Sequence, residues 1–154
     1  MHKLFSHAKA QRRFEEKMKI AFTTSDRVHI NAHFGSTNEI DVYEISAEGY
    51  QFVETLTFAG ELKEDGNEDK LAPKLEALAD CTIVYVTAIG GSAAARLIKK
   101  NVTPIKARSE EEEIAEVLNK LVTTLKGNPP PWLRKALQQK TSNFEDELSE
   151  EATV

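Results

Sequence analysis

Residues 81–89, Cys-Thr-Ile-Val-Tyr-Val-Thr-Ala-Ile, hold no charged side chain and consist mostly of apolar and β-branched types. A strand with one wet face alternates polar and apolar residues, whereas an unbroken run of this kind is buried on both faces. The run predicts an interior, parallel strand, and parallel strands need crossover connections. Gly90-Gly91-Ser92 follows at once and predicts a tight turn into a small-residue helix over 93–100, which Asn101 ends. This one stretch commits the chain to an α/β fold.

The flanking segments complete the sheet. Residues 19–24 alternate like a half-buried strand and 28–30 add a short second piece. Asn31-Ala32-His33-Phe34-Gly35-Ser36 breaks the periodicity and reads as a loop. Residues 39–45 alternate again, with Ile40, Val42 and Glu44 on one side and Asp41, Tyr43 and Ile45 on the other. Ala47-Glu48-Gly49 supplies turn chemistry for a hairpin whose returning arm is 50–58. After a polar loop at 61–69, Leu71, Leu75 and Leu78 predict a helix over 69–79, with Pro73 tolerated in its first turn. Residues 102–107 give a last short strand. Ile114, Val117, Leu118, Leu121, Val122 and Leu125 stripe a helix over 110–126 that Gly127 stops.

That order predicts a ribonuclease-H-like three-layer fold, a mixed sheet of about five strands flanked by helices. Residues 1–18 read as a polar basic arm, 19–127 as the α/β domain that carries the binding site, and 128–154 as a Pro-Trp helix with an acidic tail.

The chain has 154 residues and a formal net charge of -5, which argues against a surface that tracks nucleic-acid phosphates. No apolar stretch approaches the roughly 20 residues of a membrane span. The basic N-terminus lacks the apolar core of a secretory signal. The single cysteine, Cys81, excludes an intramolecular disulfide and fits a reducing cytoplasm. Much of the acid is gathered at 110–113 and 145–151, while Arg27, Arg96, Lys99, Lys100, Lys106 and Arg108 lie mid-chain. A local anion site is therefore compatible with the global charge.

Catalytic signatures are missing. There is no Gly-x-Gly-x-x-Gly, and Gly90-Gly91 lacks the Lys-Ser/Thr pair of a P-loop. A ribonuclease-H-type nuclease needs several carboxylates converging on two metal ions. Here only Asp26 and Asp80 stand at strand ends, so a metal-dependent hydrolase is the weakest reading. The expectation is a protein that binds without catalysing.

His33 stands out as a binding residue. A loop at a strand end can present an imidazole to a cleft, Phe34 can anchor that loop, and Gly35 permits backbone geometry that a Cβ would forbid. Neutral imidazole is a common metal ligand; equally, a surface histidine can simply rest against a backbone carbonyl. Gly90-Gly91-Ser92 is either an anion cradle of backbone N–H groups at a helix start or an ordinary βα turn. Cys81 opens the buried strand at the end away from Gly90 and reads as a core residue. His29 reads as structural or exposed.

Taken together, Lys19-Ile-Ala-Phe, His33-Phe34-Gly35-Ser36, the run from Tyr85 through Ile-Gly-Gly-Ser-Ala-Ala-Ala to Arg96, and Thr103-Pro104-Ile105-Lys106 resemble the NifX/NafY family of nitrogenase cofactor carriers. Pro129-Pro-Pro-Trp132-Leu-Arg-Lys-Ala136 resembles its NifX branch in particular. The resemblance implies cytoplasmic cargo binding of the iron–molybdenum cofactor or its iron–sulfur precursor. It implies His33 as the metal ligand, with Phe34, Gly35, Ser36, Gly90, Gly91, Ser92, Arg27 and Arg96 around the cargo. Implied partners are assembly proteins such as NifB and NifEN, and apo-dinitrogenase. The competing reading is a docking factor that serves this machinery through its arm, Pro-Trp helix and tail without holding a cluster.

Overall fold

Period-two alternation becomes two packed faces. The computed structural model describes residues 17–58 and 71–136. Within them lie strands β1 (Met18–Thr23), β2 (Glu39–Ser46), β3 (Gly49–Thr57), β4 (Ile83–Val86) and β5 (Thr103–Lys106). The helices are α1 (Ala72–Ala77), α2 (Gly91–Lys99) and α3 (Ile114–Lys126). The strands form one mixed sheet in the order β3-β2-β1-β4-β5. β1, β2 and β3 are antiparallel neighbours, and β4 runs parallel to both β1 and β5.

The expected architecture is present. All four residues of β4 are buried with parallel neighbours on each side, although β1 takes the middle place in the sheet. Pro104 has no N–H to donate and falls in β5, at an edge of the sheet, where that loss is tolerated. Gly49, at φ 152°, closes the β2–β3 hairpin in backbone space that side chains rarely adopt.

The alternation sorts side chains between two layers. Ile20, Phe22, Ile45, Ile83 and Tyr85 pack with Ile114, Val117, Leu118, Leu121 and Val122 of α3. Ala21, Ile40, Val42, Val84 and Val86 pack with Leu75 and Leu78 from the α1 region and Ala93 and Leu97 of α2. Each layer gathers side chains whose burial contributes on the order of 1.5–3 kcal/mol apiece.

Several boundaries differ from the sequence-based expectation, among them the helix expected over 69–79, which spans Ala72–Ala77. Met18, assigned to the arm, is 4% exposed and pairs with Ile45, so the first strand starts one residue earlier. The final helix begins at Ile114 rather than at 110, because the backbone at 112–114 pairs instead with 28–30. Ile30 N–H donates to the Glu112 carbonyl and Ile114 N–H to the Val28 carbonyl, both at 2.9 Å. α2 starts at Gly91 rather than 93. The short helical segment 131–136 buries Leu133 against the α3 layer, so part of the Pro-Trp segment belongs to the packed body. The basic arm up to residue 16, the loop at 61–69 and the acidic tail lie outside the described residues.

Candidate functional site

The site arises because β4's apolar run outlasts β1. β1 stops at Thr23, and the chain leaves the sheet through a turn built on Thr24 and Asp26. The Thr24 hydroxyl accepts the Arg27 N–H at 2.8 Å, and Asp26 Oδ1 accepts those of Val28 and His29, each at 2.8 Å. Arg27 sits there at φ 67°, a left-handed conformation that a non-glycine residue adopts only when its surroundings enforce it. The chain then returns and takes the place beside β4 that β1 gave up. His33 forms a parallel bridge with Ala88. Phe34 N–H donates to the Ala88 carbonyl at 2.9 Å, and Thr87 N–H to the Ala32 carbonyl at 3.2 Å.

Both neighbours of His33 are pinned. The Ala32 carbonyl also accepts the hydroxyls of Thr23 and Thr87, each at 2.8 Å. Phe34 is 0% exposed within the α1–α2 layer. Between these two anchors the His33 side chain is exposed. Among the described residues, no group hydrogen-bonds its ring. The backbone is held while the imidazole is left open.

Two adjoining depressions share His33 and Ser36. One, of about 490 Å³, is completed by Gly35, Ala88, Ile89 and Gly90. The other, of about 580 Å³, is walled by hydroxyl and amide groups that include Thr24, Asn31, Thr37 and Asn38. The expected meeting of the His33 loop with the Gly90 turn, at the carboxyl end of β4, is therefore present. Gly90 caps α2 with no side-chain cap, and the helix's first turn holds no acidic residue. Its backbone N–H groups and positive dipole end are thus uncovered by side chains.

Other expected residues stand elsewhere. Gly91 and Ser92 are exposed on the first turn of α2 and do not line either depression. Arg27 Nε lies 3.4 Å from buried Asp41, and its guanidinium covers the Phe52 ring at 5.1 Å, so its charge is directed at β2 and β3. Arg96, on α2, is also outside the lining. Gly35 needs no unusual backbone: its φ is not left-handed, and a Cβ there would meet nothing within 4 Å. The same space surrounds Gly90 and Gly91, so these glycines leave room rather than permit strain.

Comparison with known proteins gives the family. Residues 16–124 match the family described as dinitrogenase iron-molybdenum cofactor. A protein named NifX from Herbaspirillum seropedicae is 50% identical over 141 residues, covering 89% of this chain and 96% of its own. The chain belongs to the NifX family. NifX of Rhodobacter capsulatus is 39% identical over 142 residues, 86% of this chain and 89% of that one. The crystal structure of PH0822 shares the fold at a TM-score of 0.52 and 18% identity, covering 69% of this chain and 89% of that one.

For a NifX-family member, the donor set is sparse. Among the described residues, no cluster of three His, Cys, Asp or Glu side chains could hold a metal ion. Cys81 is buried where β4 begins, at the opposite end of that strand from His33. Asp80, at that same far end, pairs with Lys19 at 2.8 Å, whereas Asp26 lies past the end of β1. The two carboxylates of the hydrolase reading thus sit at opposite ends of parallel strands and do not converge.

Sequence reasoning missed Lys74, Thr23 and Thr87. Lys74 is 5% exposed, and its Nζ donates to the carbonyls of Phe34 at 2.9 Å and Gly35 at 3.1 Å. Its signal was present: Lys74 falls in the inward stripe that Leu71, Leu75 and Leu78 mark along α1 and its two caps, where a lysine is out of place. The two threonines look like ordinary strand residues, and only their convergence on Ala32 gives them a role.

Proposed function

We propose that this protein is a non-catalytic carrier in nitrogenase cofactor biosynthesis. Its cargo is the iron–molybdenum cofactor or the iron–sulfur precursor of it, received from and passed to assembly proteins such as NifB and NifEN. The observation that carries the reading is the exposed imidazole of His33 on a doubly anchored backbone, beside an uncapped helix start.

The chemistry suits temporary holding. A neutral imidazole supplies one metal bond, and Ser36 with the backbone N–H groups near Gly90 supplies hydrogen bonds to an anionic cluster. Resident metal sites usually orient a ligating histidine through a partner on its second nitrogen. His33 has none among the described residues, so its bond to metal is weaker and more easily exchanged. A carrier has to release what it binds.

The test is anaerobic incubation of purified protein with isolated iron–molybdenum cofactor and, separately, with the precursor cluster, followed by gel filtration and metal analysis. Iron co-eluting with the protein supports the carrier. A second reading, docking without cargo, is favoured by Trp132, which is 45% exposed on a segment whose Leu133 is buried. Binding to an assembly protein that disappears in Trp132→Ala, with no iron retained from either cluster, would replace the first reading by the second.

A further inference from the structure

α1 carries a charge where an apolar residue belongs. The Lys74 ammonium lies under the His33 loop, bonded to the Phe34 and Gly35 carbonyls and 5.9 and 5.7 Å from the ring centres of Phe34 and Phe58. Among the described residues no carboxylate pairs with it, and burial lowers its pKa from the ordinary lysine value. A buried cation without a counter-ion is costly, and an apolar side chain of similar size in such a place is often neutral or stabilising. Within the described residues, what Lys74 does is hold two carbonyls of the His33 loop.

We propose that Lys74 is a positioning residue for the cargo site: it grips the two carbonyls that follow His33 and so fixes how His33 and Ser36 face the cavity. Gly35, one of the gripped residues, itself lines that cavity. The buried charge therefore stands just behind the cargo-facing wall, and an anionic cargo docking there supplies a counter-charge that no carboxylate among the described residues provides. This second half rests on the carrier reading; the grip on the loop does not.

The experiment compares wild type, Lys74→Met and Lys120→Met, the last an exposed α3 lysine that controls for net charge. Amide hydrogen exchange is read at Thr37, whose N–H bonds to the His33 carbonyl at 3.0 Å, and at β1 core residues. Uptake of isolated iron–molybdenum cofactor is measured in parallel. The expected result in Lys74→Met is exchange at Thr37 at least about tenfold faster, with β1 protection and melting temperature retained. Cofactor affinity should fall by at least about tenfold, the scale of losing a group that orients a ligand.

Unchanged Thr37 exchange overturns the proposal. So does equal loss of protection in β1, which would make Lys74 a general stabiliser, or an equal affinity loss in Lys120→Met. Should wild-type protein take up no cofactor, the carrier reading fails, while the Thr37 comparison still decides the grip.

Discussion

His29 and His33 lie on the same returning segment, and each sits in an isolated β-bridge, His29 with Glu113 and His33 with Ala88. Their rings have opposite fates. His29 Nδ1 is 2.7 Å from Asp26 Oδ2, within a turn where Asp26 also accepts two backbone N–H groups. His33 projects from a segment fixed on both sides and has no such partner among the described residues. One loop thus contains a histidine engaged within its own turn and a histidine whose ring has no partner among the described residues. His29 is half-buried and His33 exposed, and beyond that His29 is already engaged by Asp26.

The largest effect on cargo should come from removing the His33 ring. His33→Ala should lower affinity for the iron–molybdenum cofactor by at least about tenfold, since loss even of a supporting outer-shell group costs 10–100-fold. Stability should stay within about 0.5 kcal/mol because the ring is exposed. His29→Ala should leave affinity near wild type. Cluster retention after gel filtration, with a melting curve for each variant, checks both, and loss of cargo only in His29→Ala would invert the comparison.

The largest effect on stability should come from the anchor. Phe34→Ala removes a ring that is 0% exposed and should cost about 3–5 kcal/mol of stability. Denaturant unfolding measures it. A loss below about 1 kcal/mol would mean that the His33 loop is not held through Phe34, and the contrast between a held backbone and an open ring would lapse.

The Asp26–His29 pair sharpens the comparison through pH. Hydrogen bonds from the His29 backbone and ring, with those from Val28 and Thr24, hold the Asp26 carboxyl well below the usual range. The Asp26 bond in turn raises the His29 imidazole above its ordinary 6.5. The His29 contribution is complete below the unfolded histidine value and is lost as pH rises through the raised one. The Asp26 contribution is complete above 3.8 and is lost as pH falls through the lowered value. The pair therefore steadies the turn most in the mildly acidic range between. In Asp26→Asn, an NMR titration should show the His29 pKa moving down; an unmoved titration would mean the pair is not formed in solution.

Much of this was legible in the sequence, for reasons that differ by element. β4 was plain because eight of its residues and neighbours in 81–89 other than Tyr85 are small, apolar or β-branched, and burial on both faces is the state that suits them. The Ile40 and Val42 side and the Tyr43 and Ile45 side separated cleanly into the two layers. The Glu110–Glu113 stretch misled because helix-compatible residues were claimed by pairing with 28–30, a contact between distant segments that no local pattern encodes. His33 and Gly90 were legible as motifs, and their meeting followed from strand direction. What held them was not: Lys74 lies 40 positions from Phe34 in the chain, and Thr87 lies 55 from Ala32.

The smallest effects should come from the glycines, and they sharpen where the open region beside His33 ends. Gly90 lines the cavity with His33; Gly91, one residue on, does not. Neither has a left-handed φ, and a Cβ at either would meet nothing within 4 Å. Gly91→Ala should therefore raise stability by about 0.4–1 kcal/mol, because alanine narrows the unfolded ensemble at a position it can occupy without strain. Cofactor affinity should not change. Gly90→Ala should be equally well tolerated by the fold, yet its methyl group would occupy space that the cargo needs, so affinity should fall by a few-fold, roughly 1 kcal/mol at most. Thermal denaturation and anaerobic cofactor titration on the two variants check this. Equal affinities for Gly90→Ala and wild type would confine the cargo to the Ser36 and Asn31 side of His33, away from the helix start.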